Sequence, residues 1–489
     1  MTSEPGALAQ NDPQAPEHAA RNRMVIGLLL VATFVVILNE TIMSVALPRL
    51  MDDLGATANA VQWLTTAFLL TMAVVIPVTG FLIQRTNTRP LFILAMGLFS
   101  LGTLAAALSP SLAFMIAARV VQALGTAIMM PLLMTTVMTL VPHNRRGPVM
   151  GNISMVISVA PAIGPAISGI VLNYLSWPWL FWLVLPIALT ALGVGARLMS
   201  NVTTPRYAPL DILSVPISAL AFGGLVYGLS SFGELGGEDG NTTGYVAVAV
   251  GVLAMAVFVL RQIRLQKTER ALLDLRTFTS KNFTISLAMM VIMMAALFGT
   301  VILLPIYMQN VLGFDTLRTG ALLLPGGLVM GLLAPRVGRL YETYGPRPLI
   351  VPGSAIVCAV LWAMTLLGPD TNWVNILIGH ILISIGLALT FTPLFTVSLS
   401  SVPAELYSHG SATLGSVQQV AGAAGVALFI AIMSAISARH TAEGLDPVLA
   451  LSKGITAAFT VGAILSIFTI VSAFFVRRPP DFGAPQMVH

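Results

Sequence analysis

Met24–Pro48 reads MVIGLLLVATFVVILNETIMSVALP, an apolar run interrupted by one carboxylate, Glu40. At about 1.5 Å of rise per residue, such a run crosses the hydrocarbon of a bilayer as a single helix. A carboxylate at that depth costs roughly 2.5 kcal/mol or more on insertion scales, so Glu40 is expected to face protein or a wet cavity rather than lipid. No small-residue cleavage site follows the run, so it reads as a retained span.

The composition extends this reading to the whole chain. Of 489 residues, 56% are hydrophobic and 9% charged, where a soluble domain carries about 25% charged. The apolar runs are long and continuous rather than short and alternating, which selects helices over barrel strands. The fold class is therefore an all-α integral membrane protein. A single cysteine, Cys358, excludes an intrachain disulfide and argues against a zinc or iron–sulfur site. No phosphate-cradling Gly-x4-Gly-Lys-Ser/Thr loop occurs, no soluble segment is large enough for a nucleotide domain, and no His/Glu metal motif or nucleophile elbow is present. ATP drive within this chain, enzyme activity, bound metals and cofactors are not expected, and the net charge of +5 does not point to nucleic acid.

Fourteen apolar runs are spaced along the sequence, at about 24–48, 60–83, 90–108, 112–135, 149–172, 178–199, 210–231, 244–263, 283–309, 317–337, 348–368, 373–400, 411–436 and 454–476. Of the 24 Lys and Arg residues, nineteen fall in the two tails and in alternate loops, four in the other loops, and Arg119 within a span. By the positive-inside rule both termini lie in the cytoplasm and the number of spans is even. Five tryptophans, Trp63, Trp177, Trp179, Trp362 and Trp373, fall near outer span ends, where an amphipathic ring suits the interface. The basic segment 261–281 suits either a surface helix on anionic lipid or a solvated linker. Asp211 opens the seventh span as a helix N-cap.

An internal repeat divides the chain. Leu47-Pro48, Gly80 and Arg89-Pro90-Leu91 recur as Leu304-Pro305, Gly338 and Arg347-Pro348-Leu349, and Val141-Pro142 recurs as Val402-Pro403. The offsets are close to 258 residues, too long for two six-span halves placed back to back, so two extra spans separate them. The expected domains are a disordered tail 1–22, a six-helix half 23–200, two linking helices and a loop 201–281, a second six-helix half 282–478, and a tail 479–489. Repeated halves around a midplane site are a common plan of secondary transporters.

Three first-half motifs resemble the major facilitator superfamily, in particular its fourteen-span drug/proton antiporter branch. Gly80-Phe81-Leu82-Ile83-Gln84-Arg85-Thr86-Asn87-Thr88-Arg89-Pro90 is similar to the family's loop between spans 2 and 3, with Gln84 where the family usually has Asp and Asn87 where it has Gly. Its second copy, Gly338 to Arg347, keeps an acid at Glu342. Arg85, Arg89 and Arg347 can grip helix ends, whose carbonyls carry partial negative charge. Arg119-Val120-Val121-Gln122-Ala123-Leu124-Gly125 is similar to the family's Arg-x-x-Gln-Gly-type motif in span 4. Gly151, Ala160, Gly164-Pro165 and Ser168-Gly169 resemble the antiporter motif of span 5, with small residues replacing two glycines. The opening stretch resembles the branch's span-1 motif, with the usual acid falling on Asn39 and the usual Asn on Ser44.

These resemblances imply a function. Glu40 and Arg119 each lie about eight residues, or 12 Å, from the outer end of their spans, which suggests an electrostatic pair at one depth. Opening and closing of a cavity would shift the balance between desolvation and that attraction, a route to proton coupling. Asn39, Ser44, Gln122 and His380 are cavity candidates, with His380 aligned to Gln122, although a lone helical His more often makes a local hydrogen bond. Gly80, Arg85, Arg89, Gly338, Glu342 and Arg347 form the expected gating loops, and Gly151, Gly164, Pro165 and Gly169 the antiporter motif. The implied activity is proton-coupled export of amphipathic drugs or toxic small molecules by a monomer in the cytoplasmic membrane, with the substrate, protons and lipids as partners. A dedicated exporter of one metabolite, lipid or siderophore-like cargo, or a non-transporting membrane receptor, fits the same sequence less well.

Overall fold

The structure, a computed structural model, describes residues 16–202, 205, 209, 211–232 and 238–479. It contains fourteen helices long and apolar enough to cross a membrane among the described residues. In chain order they are α1 (Pro16–Leu54), α2 (Ala58–Arg85), α3 (Thr88–Ala107), α4 (Leu112–Leu140), α5 (Arg146–Tyr174) and α6 (Pro178–Leu198). There follows α7 (Ser214–Ser218, continued through a π-helical turn Ala219–Gly223 into Gly224–Phe232), then α8 (Glu238–Leu265), α9 (Lys281–Asn310) and α10 (Thr316–Tyr344). The last four are α11 (Arg347–Met364), α12 (Trp373–Ser400), α13 (Tyr407–Ala442) and α14 (Pro447–Ala473).

Short turns join these helices because side chains cap them at once. Thr57 accepts from the Ala60 amide, Ser111 from Phe114, and Asp315 from Arg318, each satisfying a donor that the first helical turn leaves unpaired. Gly345 ends the α10–α11 turn at φ 79°, a conformation open to glycine without a Cβ penalty. Prolines 77, 131, 165, 305 and 335 sit inside helices, tolerated where neighbouring helices cover the freed carbonyls.

Helices α1–α6 form one half and α9–α14 the other, with α7 packed on α2 and α13 and α8 packed on α7. The halves meet along two crossing pairs, α5 with α10 and α2 with α13. These pairs are equivalents under the repeat. Gly80 of α2 packs against Ser408 and Ala412 of α13, while Gly338 of α10 packs against Gly147 and Pro148 of α5. The repeated glycines therefore share one purpose, close backbone approach across the seam.

Two expectations change. Residues 16–22 are already helical rather than part of a tail, and residues 1–15 lie outside the described structure. The basic segment after α8 is solvated only in part: Lys267 and Arg270 are exposed, whereas the residues that follow turn inward. Leu272, Leu273, Asp274 and Thr277 are buried, and the leucines join Phe81, Phe222, Phe258 and Ala412 in a satellite core. Gln262 holds this segment by accepting from the Leu272 amide at 2.7 Å and donating to Ser214 at 2.8 Å. Asp211 caps α7 through the Ser214 amide, as expected, and is clamped by Arg261 at 2.7 and 2.8 Å. That guanidinium, helped by Ser214, pulls the Asp211 carboxyl down to about 2.

Candidate functional site

Arg119 is 1% exposed on α4, so its charge requires partners inside the protein. It finds neutral ones. Its Nη1 donates to Gln122 Oε1 at 2.6 Å and to Asn39 Oδ1 at 3.2 Å, its Nε points at the Leu64 carbonyl at 3.5 Å, and its guanidinium lies 4.1 Å from the centre of the Phe68 ring. Gln122, one helical turn on, passes the network to Thr103 on α3 at 2.8 Å. The cation is thus wired into α1, α2, α3 and α4 without a carboxylate in hydrogen-bond contact.

Glu40 stands beside this network rather than within it. It is half-buried, and Arg119 is the charge it feels. No hydrogen bond holds its carboxylate, and no ion pair within 4.0 Å includes it, among the described residues. The pairing that equal depth suggests is therefore long-range, and Asn39, at the position of the family's usual acid, makes the direct contact with Arg119. The Ser44 side chain lies outside the described residues.

The antiporter-motif residues of α5 divide between two neighbours. A Cβ on Gly151 would stand 2.6 Å from the Ala334 carbonyl oxygen of α10, whereas Gly164 packs against Thr41, the residue after Glu40. Thr41 Oγ1 also reaches the Ala160 carbonyl at 3.5 Å. Gly169 has open space around it. Helix α5 thus links the seam between the halves to the turn of α1 that carries Glu40.

The loops rich in arginine close one end of the bundle, called here the basic end. Gly147 N, at the start of α5, donates to Glu342 Oε1 at 2.6 Å, so the acid of the second-copy loop caps a helix of the other half. In the first copy Gln84 makes the corresponding but weaker contact, with the Glu405 carbonyl at 3.5 Å. Arg89 donates to the Ala196 carbonyl near the end of α6, and Arg347 to the Val476 carbonyl just past α14. Each repeat arginine ties its loop to the last helix of its own half. Arg85 lies 5.7 Å from the Phe81 ring.

Several seam residues had gone unrecognised. Arg146 is 5% exposed; it donates to the Val141 and Met138 carbonyls at 3.1 and 2.8 Å and meets His143 Nε2 at 2.9 Å. Across the seam it reaches Tyr407 Oη at 3.2 Å and Ser400 Oγ at 3.5 Å, with its guanidinium 5.4 Å from the Tyr407 ring. Thr135 and Ser411 bond across the seam at 2.7 Å. Arg146 and Tyr407 are repeat equivalents, because the Val-Pro pairs at 141 and 402 set them in matching places, and equivalents meet at a twofold-like axis. That signal was present in the sequence but was counted there only as loop charge.

His380 is not drawn into the Arg119 network. Its ring packs on the bare Cα of Gly326, and its Nδ1 has no hydrogen-bond partner among the described residues. Met289, Met290, Met293 and Met294 are buried within α9 rather than presented as an open surface.

A fourteen-helix membrane bundle in two repeated halves, with a charge buried at depth in one of them, defines the secondary-transporter class. A family model described as Major Facilitator Superfamily matches residues 29–426, and the chain belongs to that superfamily. It is 39% identical over 459 residues to the lincomycin resistance protein LmrB of Listeria monocytogenes, covering 93% of this chain and 96% of that one. It is 31% identical to the tetracenomycin C resistance and export protein of Streptomyces glaucescens, over 88% of this chain and 79% of the relative. In fold it is similar to the crystal structure of the human organic anion transporter MFSD10, with a TM-score of 0.66 at 15% identity, covering 94% of this chain and all of the other.

Proposed function

We propose that this protein exports amphipathic drugs or toxic small molecules across the cytoplasmic membrane in exchange for protons, by alternating access between its two halves. The observation that carries the reading is the 39% identity, over nearly the full length of both chains, with a protein named for lincomycin resistance. The loop charges support placing the basic end, and with it both termini, in the cytoplasm.

Glu40 supports the coupling. It is an acid at membrane depth, electrostatically linked to Arg119 and with no side-chain bond to its carboxylate among the described residues. Every side-chain bond described above between the halves lies at the basic end, so this conformation is closed there and suits proton entry from the opposite side. Protonation of Glu40 removes its attraction for Arg119. The contact of Gly164 with Thr41 gives that change a mechanical route through α5 to the seam.

The test is uptake of dye and lincomycin into everted vesicles, where export runs from the medium to the lumen, comparing wild type with Glu40→Gln at matched expression, with and without a proton gradient. Gradient-driven uptake in wild type and its loss in Glu40→Gln are expected. Transport by wild type that ignores the gradient would overturn the coupling, and failure to move any of a chemically varied panel would overturn drug export.

A further inference from the structure

At the basic end of the second half, Tyr344, Gly345, Pro346, Arg347, Pro348, Arg477 and Arg478 line an open cavity of about 440 Å³. Three arginines line it, and each is held by a bond that uses only part of the side chain or none of it. Arg347 gives its Nε to the Val476 carbonyl at 3.0 Å, leaving both terminal nitrogens without a partner among the described residues. Arg478 gives one Nη2 bond, at 2.9 Å, to the Glu342 carbonyl. Arg477 is fixed through its backbone, which accepts from and donates to the Asn282 amide at 3.1 Å each, so its whole guanidinium stays available. No carboxylate lies within 4.0 Å of any of the three among the described residues. The nearby Glu342 carboxylate is engaged by the Gly147 amide.

Comparison with the other half shows that this is more than helix anchoring. Arg89, the repeat partner of Arg347, makes the same type of anchor to Ala196 and adds a backbone bond to Asn201. The end of α6 supplies a single arginine, Arg197, where the segment after α14 supplies two. One anchoring bond suffices for the loop, so three like charges around one hollow are surplus and repel each other until an anion is present. The forked N–H donors of arginine match phosphate oxygens. The cavity sits at the ends of α10, α11 and α14, at headgroup depth for helices that cross a bilayer, with Tyr344 64% exposed at its rim.

We propose that this pocket binds a phosphate group bearing net negative charge, supplied by an anionic lipid headgroup or by a free phosphate. The purified full chain in neutral detergent would be titrated with dihexanoyl phosphatidylglycerol, dihexanoyl phosphatidylcholine and inorganic phosphate, with the thermal midpoint as the readout. The wild-type midpoint should rise with the anionic probes. Arg477→Gln/Arg478→Gln should raise the half-saturating concentration about tenfold or more, since each lost charged bond is worth that much. Lys267→Gln/Arg270→Gln removes the same charge from an exposed segment of the basic end and should leave the titration unchanged. Arg477→Lys/Arg478→Lys, which keeps the charge and serves if the glutamine variant does not fold, should retain part of the shift. Saturation by the glycerol lipid at lower concentration than inorganic phosphate assigns the pocket to lipid, and the reverse assigns it to a soluble anion. Equal shifts with phosphatidylcholine, or an equal loss in the Lys267/Arg270 control, would overturn the proposal.

Discussion

The substitution Gly151→Ala isolates the seam between α5 and α10. Its Cβ would stand 2.6 Å from the Ala334 carbonyl oxygen and 2.8 Å from Pro335 Cα, both backbone atoms that cannot rotate away. Ordinary contact begins near 3.4 Å, so the helices must separate by about 0.8 Å at that level. Carried one turn back along α5, the same displacement takes the Gly147–Glu342 bond from 2.6 Å to about 3.4 Å, the outer edge of hydrogen-bond range. Overpacking of this kind costs about 1–3 kcal/mol, and it is felt only while the basic end is closed. The ratio of closed to open molecules should therefore fall by roughly five- to a hundredfold. Spin labels on Asn144→Cys and Ala404→Cys, exposed positions on opposite halves, would report this in bilayer discs as a growing long-distance population in double electron–electron resonance. Gly169→Ala, where a Cβ meets open space, is the matched control and should leave the distribution unchanged. An unaltered distribution in Gly151→Ala, with the protein folded, would refute the view that this seam is a closed state the molecule leaves during transport.

Three further outcomes follow from the same geometry. Tyr407→Phe keeps the ring over Arg146 but removes the hydroxyl that accepts its Nη2, so the same spin-label pair should show the closed population reduced by about tenfold, the equivalent of one charged hydrogen bond. Gln122→Leu strips Arg119 of its shortest bond and leaves a buried charge under-solvated; it should lower folding stability by about 2–4 kcal/mol, whereas Glu40→Gln, which breaks no bond among the described residues, should leave the thermal midpoint within about a degree of wild type while abolishing gradient-driven efflux. Asp211 has a native carboxyl pulled well below its usual value of about 3.9, so the stability it lends is complete above pH 4 and is lost as pH falls toward its folded value of about 2. Hydrogen-exchange protection of the Leu272 and Leu273 amides should hold steady from pH 7 to about 5 and weaken only below about 4, and in Asp211→Asn it should be weak throughout.

What the sequence could disclose depended on whether a property is local. Apolar length and loop charge are summed along the chain, so fourteen spans and two repeated halves are legible without any knowledge of packing. The Gly80 and Gly338 equivalence was legible for the same reason, since an offset survives folding. Contacts between distant segments are a different matter. Equal depth suggested Glu40 and Arg119 as partners, but depth leaves rotation about the helix axis open, and one residue of rotation, about 100°, delivered Asn39 to the guanidinium instead. The burial of Leu272 and Leu273 after α8 depended on a core shared with Phe81 of α2 and Ala412 of α13, which no window within 261–281 contains. Arg146 was hidden by its company, as one arginine among several in charged loops, because burial is not written in composition.

The two copies of the inter-helix loop have diverged in a way that bears on mechanism. In the first copy, the position of the family's usual acid holds Gln84, which offers a neutral donor to a carbonyl of the other half at the limit of hydrogen-bond distance. In the second copy, Glu342 accepts from the Gly147 amide at 2.6 Å, placing a carboxylate at the positive end of α5. The stronger clasp therefore bears on the helix that also touches the turn of Glu40 through Gly164 and Thr41. Under the proposed function, a change in charge at Glu40 on α1 would reach α5 through the Gly164–Thr41 contact, about five turns along α5 from the Gly147 clasp. That contact and that helix are the path the proposed coupling would take. The weaker Gln84 side can part once α5 has moved.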